Sequence, residues 1–263
     1  MDLQIDGDAT LVTASSGGLG KASAATLARE GANVVVNGRD PNRLEATVEE
    51  LRAEATGEVL GKRGDLTDPE DIEELVEFTV EEFGGLDHLV TSAGGPPSGP
   101  FLGTDPAEWQ EAFELLVMSV ANTVWNGAPY LREDGGGTIV TVASRSVKEA
   151  IDSLVLSNAV RMSVVGLEKT LSMELAPEVR ANAVLPGPHE TQRIRNLVEA
   201  AVERGEYASY EAGLAARAEG NPLERLGDPE EFGDVVAYLS SPRSSYVNGT
   251  ALTVDGGGSA SNL

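Results

Sequence analysis

Residues 13–20, reading TASSGGLG, have the composition of an anion-binding turn. They follow the short apolar run 9–12 and precede residues 21–30, which have the apolar spacing of a helix. At a strand–turn–helix junction, free backbone N–H groups and the positive end of the helix dipole face outward. Gly18 and Gly20 let the chain approach a pyrophosphate without interference from side chains. The segment therefore predicts nucleotide binding, with an ordinary turn between a strand and a helix as the alternative.

Alternating segments along the rest of the chain predict the elements that must hold this turn. Short runs rich in valine, leucine and threonine indicate strands at 33–37, 86–92, 138–143, 181–185 and 251–254. Between them, helical spacing covers 41–56, 69–83, 106–131, 154–175 and 229–239. This alternation predicts an α/β fold, a Rossmann-type doubly wound parallel sheet in three αβα layers. Ligands of such sheets bind at the carboxyl ends of the strands.

Composition favours one domain over residues 1–263. The chain is 41% hydrophobic and shows no break in composition. It has no run near the roughly 20 apolar residues that cross a bilayer, and its acidic start, MDLQIDGD, is unlike a signal peptide. We therefore expect a cytoplasmic protein. With no cysteine and two isolated histidines, we expect neither thiolate catalysis nor a metal site.

The formal net charge is −24, and the acidic residues are spread along the chain. Such a distribution indicates a solvated acidic surface, since a tail or a local patch would concentrate the charge. We expect a halophilic source, because high salt screens the self-repulsion, with an acidic mesophilic enzyme as the alternative. Nucleic acid and anionic membranes are disfavoured as partners on the same grounds.

The chain resembles the short-chain dehydrogenases/reductases from about Leu11 to Gly257. TASSGGLG is similar to the family's Thr-Gly-x-x-x-Gly-x-Gly, with Ala14 at the first glycine. Further landmarks follow in the family's order: Gly64-Asp65-Leu66 at the adenine-contacting segment, Ser92-Ala93-Gly94 in place of Asn-Ala-Gly, the Pro186-Gly187 turn, and Asp255-Gly256-Gly257 near the end.

The resemblance implies a nicotinamide dinucleotide as cofactor. The residues that it places at the cofactor are Thr13, Ser15, Ser16, Gly18, Leu19, Gly20, Arg39, Asp65, Leu66, Ala93, Gly94, Arg161, Pro186, Gly187 and Thr191. Gly38 stands where an NAD-preferring member has an acidic residue, and Arg39 can pair with a 2′-phosphate, so NADP(H) is predicted over NAD(H). The alternatives are a solvated loop charge for Arg39 and a cap of the following turn for Asp65.

The reacting centre departs from the family pattern. Typical members use a serine to hold the substrate carbonyl, a tyrosine thirteen positions later as proton donor, and a lysine four residues beyond. Here Ser144 is present, whereas Ser157 and Arg161 take the other two positions, and Leu116 aligns near the helper asparagine. Serine is too weak an acid to replace the tyrosine. Arg161 cannot shuttle a proton, yet it can bind ribose hydroxyls and face a developing oxyanion.

A carbonyl reduction would need another proton donor. Lys148, one of four lysines, lies four residues past Ser144 and is a candidate, with a solvated loop lysine as the alternative. His189 and Glu190 are further candidates, and a water held by Ser144 with Ser157 and Arg161 is equally open. His88 is interpreted as structural.

Residues 190–222 are predicted to form a substrate lid, because their helical pieces carry apolar side chains and their glycines ease movement. An oligomer contact or a surface excursion is the alternative. The resemblance also implies a homo-oligomer, a dimer or tetramer, that pairs through the helices around 106–131 and 154–175.

Two functions remain open at this stage. The first is an NADP(H)-dependent carbonyl reductase or alcohol dehydrogenase, similar to the acyl-carrier-protein ketoreductase branch, acting on a small carbonyl or alcohol substrate. The second keeps the fold without ordinary redox turnover, as a nucleotide-binding regulator or a lyase similar to the halohydrin dehalogenases. Gly38-Arg39 and the glycine-rich turn speak against the lyase.

Overall fold

Parallel strands form one sheet within residues 2–133 and 135–262, which the computed structural model describes. In that part of the chain the sheet has seven strands in the order β3-β2-β1-β4-β5-β6-β7. They are β1 Ala9–Val12, β2 Asn33–Gly38, β3 Val59–Arg63, β4 His88–Thr91, β5 Gly137–Val142, β6 Val179–Pro186 and β7 Ala251–Val254. The order reverses between β1 and β4, so a crevice opens at the carboxyl ends of these two strands.

Helices connect the strands and cover both faces of the sheet. They are α1 Gly18–Arg29, α2 Pro41–Arg52, α3 Pro69–Phe83, α4 Pro106–Phe113, α5 Ser119–Leu131, α6 Val155–Glu174, α7 Gln192–Glu203, α8 Tyr210–Ala218 and α9 Pro229–Ser240. Successive side chains of each strand point to opposite faces. Val12 therefore packs with α1, α2 and α9, whereas Leu11 packs with α3, α5 and α6. The three-layer αβα fold is confirmed.

Two segments differ from the sequence-based prediction. Strand β3, at one edge of the sheet, was missed because only Val59 and Leu60 of its five residues, VLGKR, are apolar side chains, and only Val59 is buried. The helix predicted over 106–131 is interrupted by a π-helical turn, Glu114–Met118. A π turn adds a residue to the helical repeat, so it changes which side chains face the core without altering the apolar spacing enough to be noticed.

None of the helices within residues 2–133 and 135–262 has both the length and the apolarity that a membrane span requires.

Candidate cofactor and active site

The turn after β1 is held by hydrogen bonds to the neighbouring strands. Thr13 Oγ1 donates to the Ser92 carbonyl at 2.7 Å and accepts from the Ser92 N–H at 2.8 Å, which ties the turn to the end of β4. Ser15 Oγ donates to the Val12 carbonyl at 2.6 Å and accepts from the Asn37 N–H at 2.9 Å. The side chains of Thr13 and Ser15 are both buried and therefore shape the turn from within.

Backbone geometry shows what Gly18 and Gly20 provide and what alanine costs at position 14, where the family has glycine. Gly18 has φ +61°, and a Cβ added there would meet no atom within 4 Å, so it opens onto free space. A Cβ at Gly20 would lie 2.7 Å from the Ala14 carbonyl oxygen, which requires glycine for close packing. Ala14 itself has φ +46°, a left-handed conformation that costs roughly 1 kcal/mol or more for alanine.

The N-terminus of α1 is free of a side-chain cap. Helices α2, α3, α4 and α9 each begin after an aspartate whose carboxylate accepts backbone N–H groups. Helix α1 instead follows Gly17, which supplies no side-chain cap, and has no acidic residue in its first turn. Its first N–H groups and the positive end of its dipole are therefore available to an anion. This arrangement fits the pyrophosphate of a dinucleotide.

Arginines surround the end of β2, where the adenosine of a dinucleotide would lie. Arg39 is 76% exposed in its side chain, and its Nη1 lies 3.6 Å from Asp65 Oδ2. A Cβ at Gly38 would lie 2.5 Å from Ser16 Oγ, so the chain has no room for the acidic residue of an NAD-preferring member without a shift. Arg43 donates from Nε to the Ser16 carbonyl at 2.8 Å, and its guanidinium fills the space over Gly17. Sequence reasoning missed Arg43; its place in the first turn of α2, just after Asp40, was the available signal.

Asp65 caps the turn that follows it, and its contact with the adenosine of a cofactor stays a prediction. Its Oδ1 accepts from the Thr67 N–H at 3.0 Å and from Thr67 Oγ1 at 2.8 Å, which caps the following turn. Although burial raises the pKa of Asp65, the hydrogen bonds from Thr67 and the charge of Arg39 together hold that pKa below its ordinary value. Asp65 is therefore an ionised acceptor beside Arg39.

A cleft of about 390 Å³ lies at the carboxyl ends of β1, β4, β5 and β6. Of the predicted cofactor residues, those lining it are Gly18, Leu19, Gly20, Ala93, Gly94, Arg161, Pro186 and Thr191. Ser16 and Thr191 line a wider groove of about 920 Å³ between α1, α2 and α7. Leu66 is buried, and Gly187 packs closely on Asp255, so these two support the walls.

Arg161 lies buried in the wall of the cleft. It is 8% exposed and donates from Nη1 to the carbonyls of Val142 and Ala143, at 3.3 and 3.1 Å, and from Nη2 to that of Gly94 at 3.2 Å. Burial lowers the pKa of Arg161 to about 10, so the group remains charged at neutral pH. Three of its five N–H donors are used by the protein. Two remain for a bound molecule.

The two predicted serines lie outside the described lining of the cleft, and Ser144 directly follows Ala143, whose carbonyl accepts from Arg161. Ser144 is partly exposed, and its Oγ accepts from the Ser146 N–H at 3.1 Å. Ser157 is 8% exposed, and its Oγ lies 3.2 Å from Ser146 Oγ. Ser157 and Arg161 share the buried face of α6, as their spacing predicted. Ser146, which sequence reasoning missed, joins the two predicted serines.

The other candidate proton donors lie elsewhere. Lys148 is half-buried, is not among the residues that line the cleft, and its side chain pairs with no other described residue. His189 is 4% exposed, packs edge-on against Phe232 with ring centroids 5.6 Å apart, and its Nδ1 lies 3.0 Å from the Gly187 carbonyl. Burial lowers its pKa.

Glu190 and His88 are held by partners of their own. Glu190 accepts from the Tyr210 hydroxyl at 3.1 Å and pairs with Arg195 at 3.2 Å. His88 is buried between Asp8 and Thr138, in agreement with its interpretation as structural.

A buried glutamate follows Arg161 by two turns on α6. Glu168 is 1% exposed, its Oε1 is hydrogen-bonded to Thr141 Oγ1, and Thr141 Oγ1 lies 2.6 Å from Thr91 Oγ1. Its Oε2 is buried and has no hydrogen-bond partner among the described residues. Burial raises the pKa of Glu168 to about 8, although the hydrogen bond with Thr141 opposes the shift. The group is therefore protonated at neutral pH. Sequence reasoning did not single it out, because a glutamate on a helix ordinarily faces solvent.

The chain is similar in sequence to proteins of one known family. Residues 13–259 match the family model described as enoyl-(acyl carrier protein) reductase. The chain is 31% identical to a 3-oxoacyl-[acyl-carrier-protein] reductase of Thermotoga maritima, over 97% of this chain and 99% of the relative.

Solved structures agree as well. L-sorbose reductase of Gluconobacter frateurii, complexed with NADPH and L-sorbose, superposes with a TM-score of 0.93 at 30% identity, covering 99% of this chain and 100% of that one. A 7alpha-hydroxysteroid dehydrogenase complexed with NADH and 7-oxo glycochenodeoxycholic acid superposes with a TM-score of 0.85 at 27% identity, covering 97% and 96%. The chain therefore belongs to the short-chain dehydrogenase/reductase family of NAD(P)-dependent oxidoreductases.

Proposed function

We propose that the protein is an NADP(H)-dependent carbonyl reductase or alcohol dehydrogenase with an atypical Ser144–Ser157–Arg161 site. The observation that carries the proposal is the uncapped N-terminus of α1, which opens onto the same cleft as the buried Arg161. The bound cofactor would supply or accept the hydride. The chain's own residues would bind the phosphates, orient the nicotinamide end and polarise the carbonyl.

The preference for NADP(H) rests on charge at the end of β2. Arg39 and Arg43 present two guanidinium groups there, and Gly38 supplies no carboxylate to compete for the ribose hydroxyls. Arginine forks match phosphate geometry well. L-sorbose reductase was solved with NADPH, whereas the hydroxysteroid dehydrogenase was solved with NADH. The arginines of this chain favour the phosphorylated form.

At the Arg161 end of the cleft, the proposed role of each side chain follows from its exposure to solvent. Ser144, partly exposed, would donate its hydroxyl hydrogen to a substrate carbonyl, while Ser146 fixes its position. Arg161 would direct its two remaining N–H groups at the nicotinamide ribose and the developing oxyanion. The proton then comes from water, because the described residues that line the cleft include no tyrosine, histidine or lysine. A reduction that proceeds this way is expected to be slow.

A protein without ordinary redox turnover remains the second candidate. The same lack of a side-chain proton donor in the cleft favours it. It predicts cofactor binding with no reduction of any carbonyl, whereas the reductase predicts both.

Nucleotide titration tests the proposal. NADPH and NADH would be titrated by fluorescence into the wild-type protein in molar potassium chloride, and into Arg39→Ala and Arg52→Ala. We expect tight binding of NADPH that Arg39→Ala weakens about tenfold, with less effect on NADH. Arg52 donates to the Val59 carbonyl away from the cleft, so Arg52→Ala serves as the matched control. Absence of binding of either nucleotide would overturn the proposal.

Lid and oligomer remain predictions of the same proposal. Helices α7 and α8 occupy the segment predicted as the lid, 190–222. Exposed apolar side chains on α5 and α6, Trp125, Met162 and Met173, support pairing of two chains through these helices. Sedimentation measurements would test the oligomer.

A further inference from the structure

Arg193, in the first turn of the lid helix α7, carries a charge that the protein leaves unpaired. Its side chain is exposed and forms no hydrogen bond or ion pair with any other residue in the described part of the chain. It nevertheless lines the cleft. A Cβ built at Gly95 would lie 3.6 Å from Arg193 Nη1, so the guanidinium reaches across the cleft to the loop after β4.

Its neighbour on the same helix shows the ordinary arrangement. Arg195, two residues later, pairs with Glu190 at 3.2 Å. Both arginines line the wider groove, and of the two only Arg193 also lines the cleft. The two arginines thus differ in two properties: Arg195 has a carboxylate partner, and Arg193 has access to the cleft.

The cleft is positively charged in a strongly acidic protein. Its described lining contains Arg43, Arg161 and Arg193 and no aspartate or glutamate, whereas the chain as a whole has a net charge of −24. Clefts lined by one sign of charge concentrate ligands of the opposite sign. The lining therefore selects for anions.

The cofactor accounts for only part of this charge. Its phosphates would lie at the N-terminus of α1 and near Arg43, which is fixed to the Ser16 carbonyl. Arg193 lies instead beside Gly95, adjacent to Gly94, whose carbonyl accepts from Arg161. That is the reacting end of the cleft, where a nicotinamide carries no phosphate.

We propose that Arg193 recognises a carboxylate of the substrate, so that the site takes oxo acids or hydroxy acids. This inference rests on the proposed function and names its substrate class. An arginine fork binds a carboxylate with two parallel hydrogen bonds, and its place on the lid would couple carboxylate binding to closure of the cleft. When bound, the cofactor would supply a hydride to the carbonyl carbon and water would supply a proton to the oxygen, so the products would be a hydroxy acid, the oxidised cofactor and a hydroxide ion that leaves to solvent.

Pairs of probes that differ only in charge test the proposal. Pyruvate, acetoacetate and levulinate place the ketone at increasing distance from the carboxylate, and the amide of each keeps the shape without the charge. Binding to the protein with NADPH would be measured by saturation-transfer NMR, and reduction by the loss of NADPH absorbance. The variants are Arg193→Gln and, as the matched control, Arg195→Gln.

We expect at least one oxo acid to bind about tenfold more tightly than its amide. Arg193→Gln should abolish that preference without changing the affinity for NADPH, and Arg195→Gln should keep the preference. Equal binding of acids and amides by the wild type would overturn the proposal. So would an Arg193→Gln variant that loses NADPH affinity and keeps the acid preference, because Arg193 would then serve the cofactor.

Failure of the proposed function gives a different result. If NADPH does not bind, or if no carbonyl is reduced, the reductase proposal fails. The acid–amide comparison is then made on the protein alone, where a preference abolished by Arg193→Gln still supports carboxylate recognition and its absence still overturns it.

Discussion

The two ends of the cleft are built by different means. At the β1–α1 turn, backbone groups form the site: N–H groups of an uncapped helix, close packing at Gly20, and buried side chains of Thr13 and Ser15 that serve the turn itself. At the β5–α6 end, the proposed site consists of side chains: Arg161, which lines the cleft, and Ser144 and Ser157, which are joined by Ser146 outside its described lining. A site made of backbone tolerates substitution as long as the conformation is kept. In a site made of side chains, each substitution changes the chemistry.

The largest expected effect concerns Glu168, at the side-chain end. Its pKa is about 8 in the folded protein and about 4.5 in the unfolded chain, so the folded state holds the proton more tightly. Stability contributed by this group is present below pH 4.5 and is lost as the pH rises from about 4.5 to about 8. Glu168→Gln keeps the shape and removes the titration.

We therefore expect the free energy of unfolding of Glu168→Gln, relative to that of the wild type, to rise by about 3 kcal/mol between pH 4 and pH 7, because keeping Glu168 protonated costs the wild type increasingly more. Thermal or denaturant unfolding of both proteins across that range measures it. Glu174→Gln, at the end of the same helix, is the control. A gain that does not vary with pH would contradict the raised pKa.

The second expected effect restores the side chains of typical family members. The double variant Ser157→Tyr with Arg161→Lys supplies a phenol and an ammonium at the positions where the family has them. If the cofactor binds in an orientation that allows hydride transfer, the rate of carbonyl reduction should increase about tenfold or more, because general acid catalysis contributes at least that much. Initial rates of NADPH oxidation with a panel of ketones measure it.

The single variant Arg161→Lys is the control for that experiment, since it provides the ammonium without the phenol. No gain in the double variant, together with unchanged NADPH affinity, would show that the two ends of the cleft are not aligned for hydride transfer. The two ends of the cleft would then differ in function as well as in the groups that form them.

The smallest expected effect lies at the backbone end. Ala14→Gly relieves the left-handed conformation at φ +46° and should stabilise the protein by roughly 0.5 kcal/mol, since the strain removed exceeds the entropy lost by glycine. Thermal unfolding measures the gain, and NADPH affinity should be unchanged. A loss of affinity would mean that the Ala14 methyl group takes part in binding.

The same contrast explains what the sequence could predict. The strand–turn–helix at Thr13–Gly20 and the shared face of Ser157 and Arg161 follow from local spacing, so they were predicted and the structure agrees. Contacts between distant segments carry no such signal. Arg43 over Gly17, Arg193 across the cleft at Gly95, and the burial of Glu168 against Thr141 depend on how helices pack on the sheet, and spacing along the chain does not reveal them.

The edge strand β3 and the π turn at Glu114–Met118 were missed for a related reason. Strand β3 ends in Gly61, Lys62 and Arg63, so it lacks the apolar run by which the other strands were recognised. A π turn contains Leu116, whose apolar character fits an α-helix equally well. In both places the residue types are compatible with more than one backbone, and tertiary packing decides between them.

Because the carboxyl of Glu168 is neutral in the folded protein, folding is coupled to the uptake of a proton at this residue. At pH 7 the unfolded chain carries this group as a carboxylate and the folded chain carries it as an acid, so each molecule that folds takes close to one proton from the buffer at this residue. The heat of refolding will therefore depend on the ionisation enthalpy of the buffer. Glu168 therefore takes up a proton on folding, although the protein as a whole is strongly acidic.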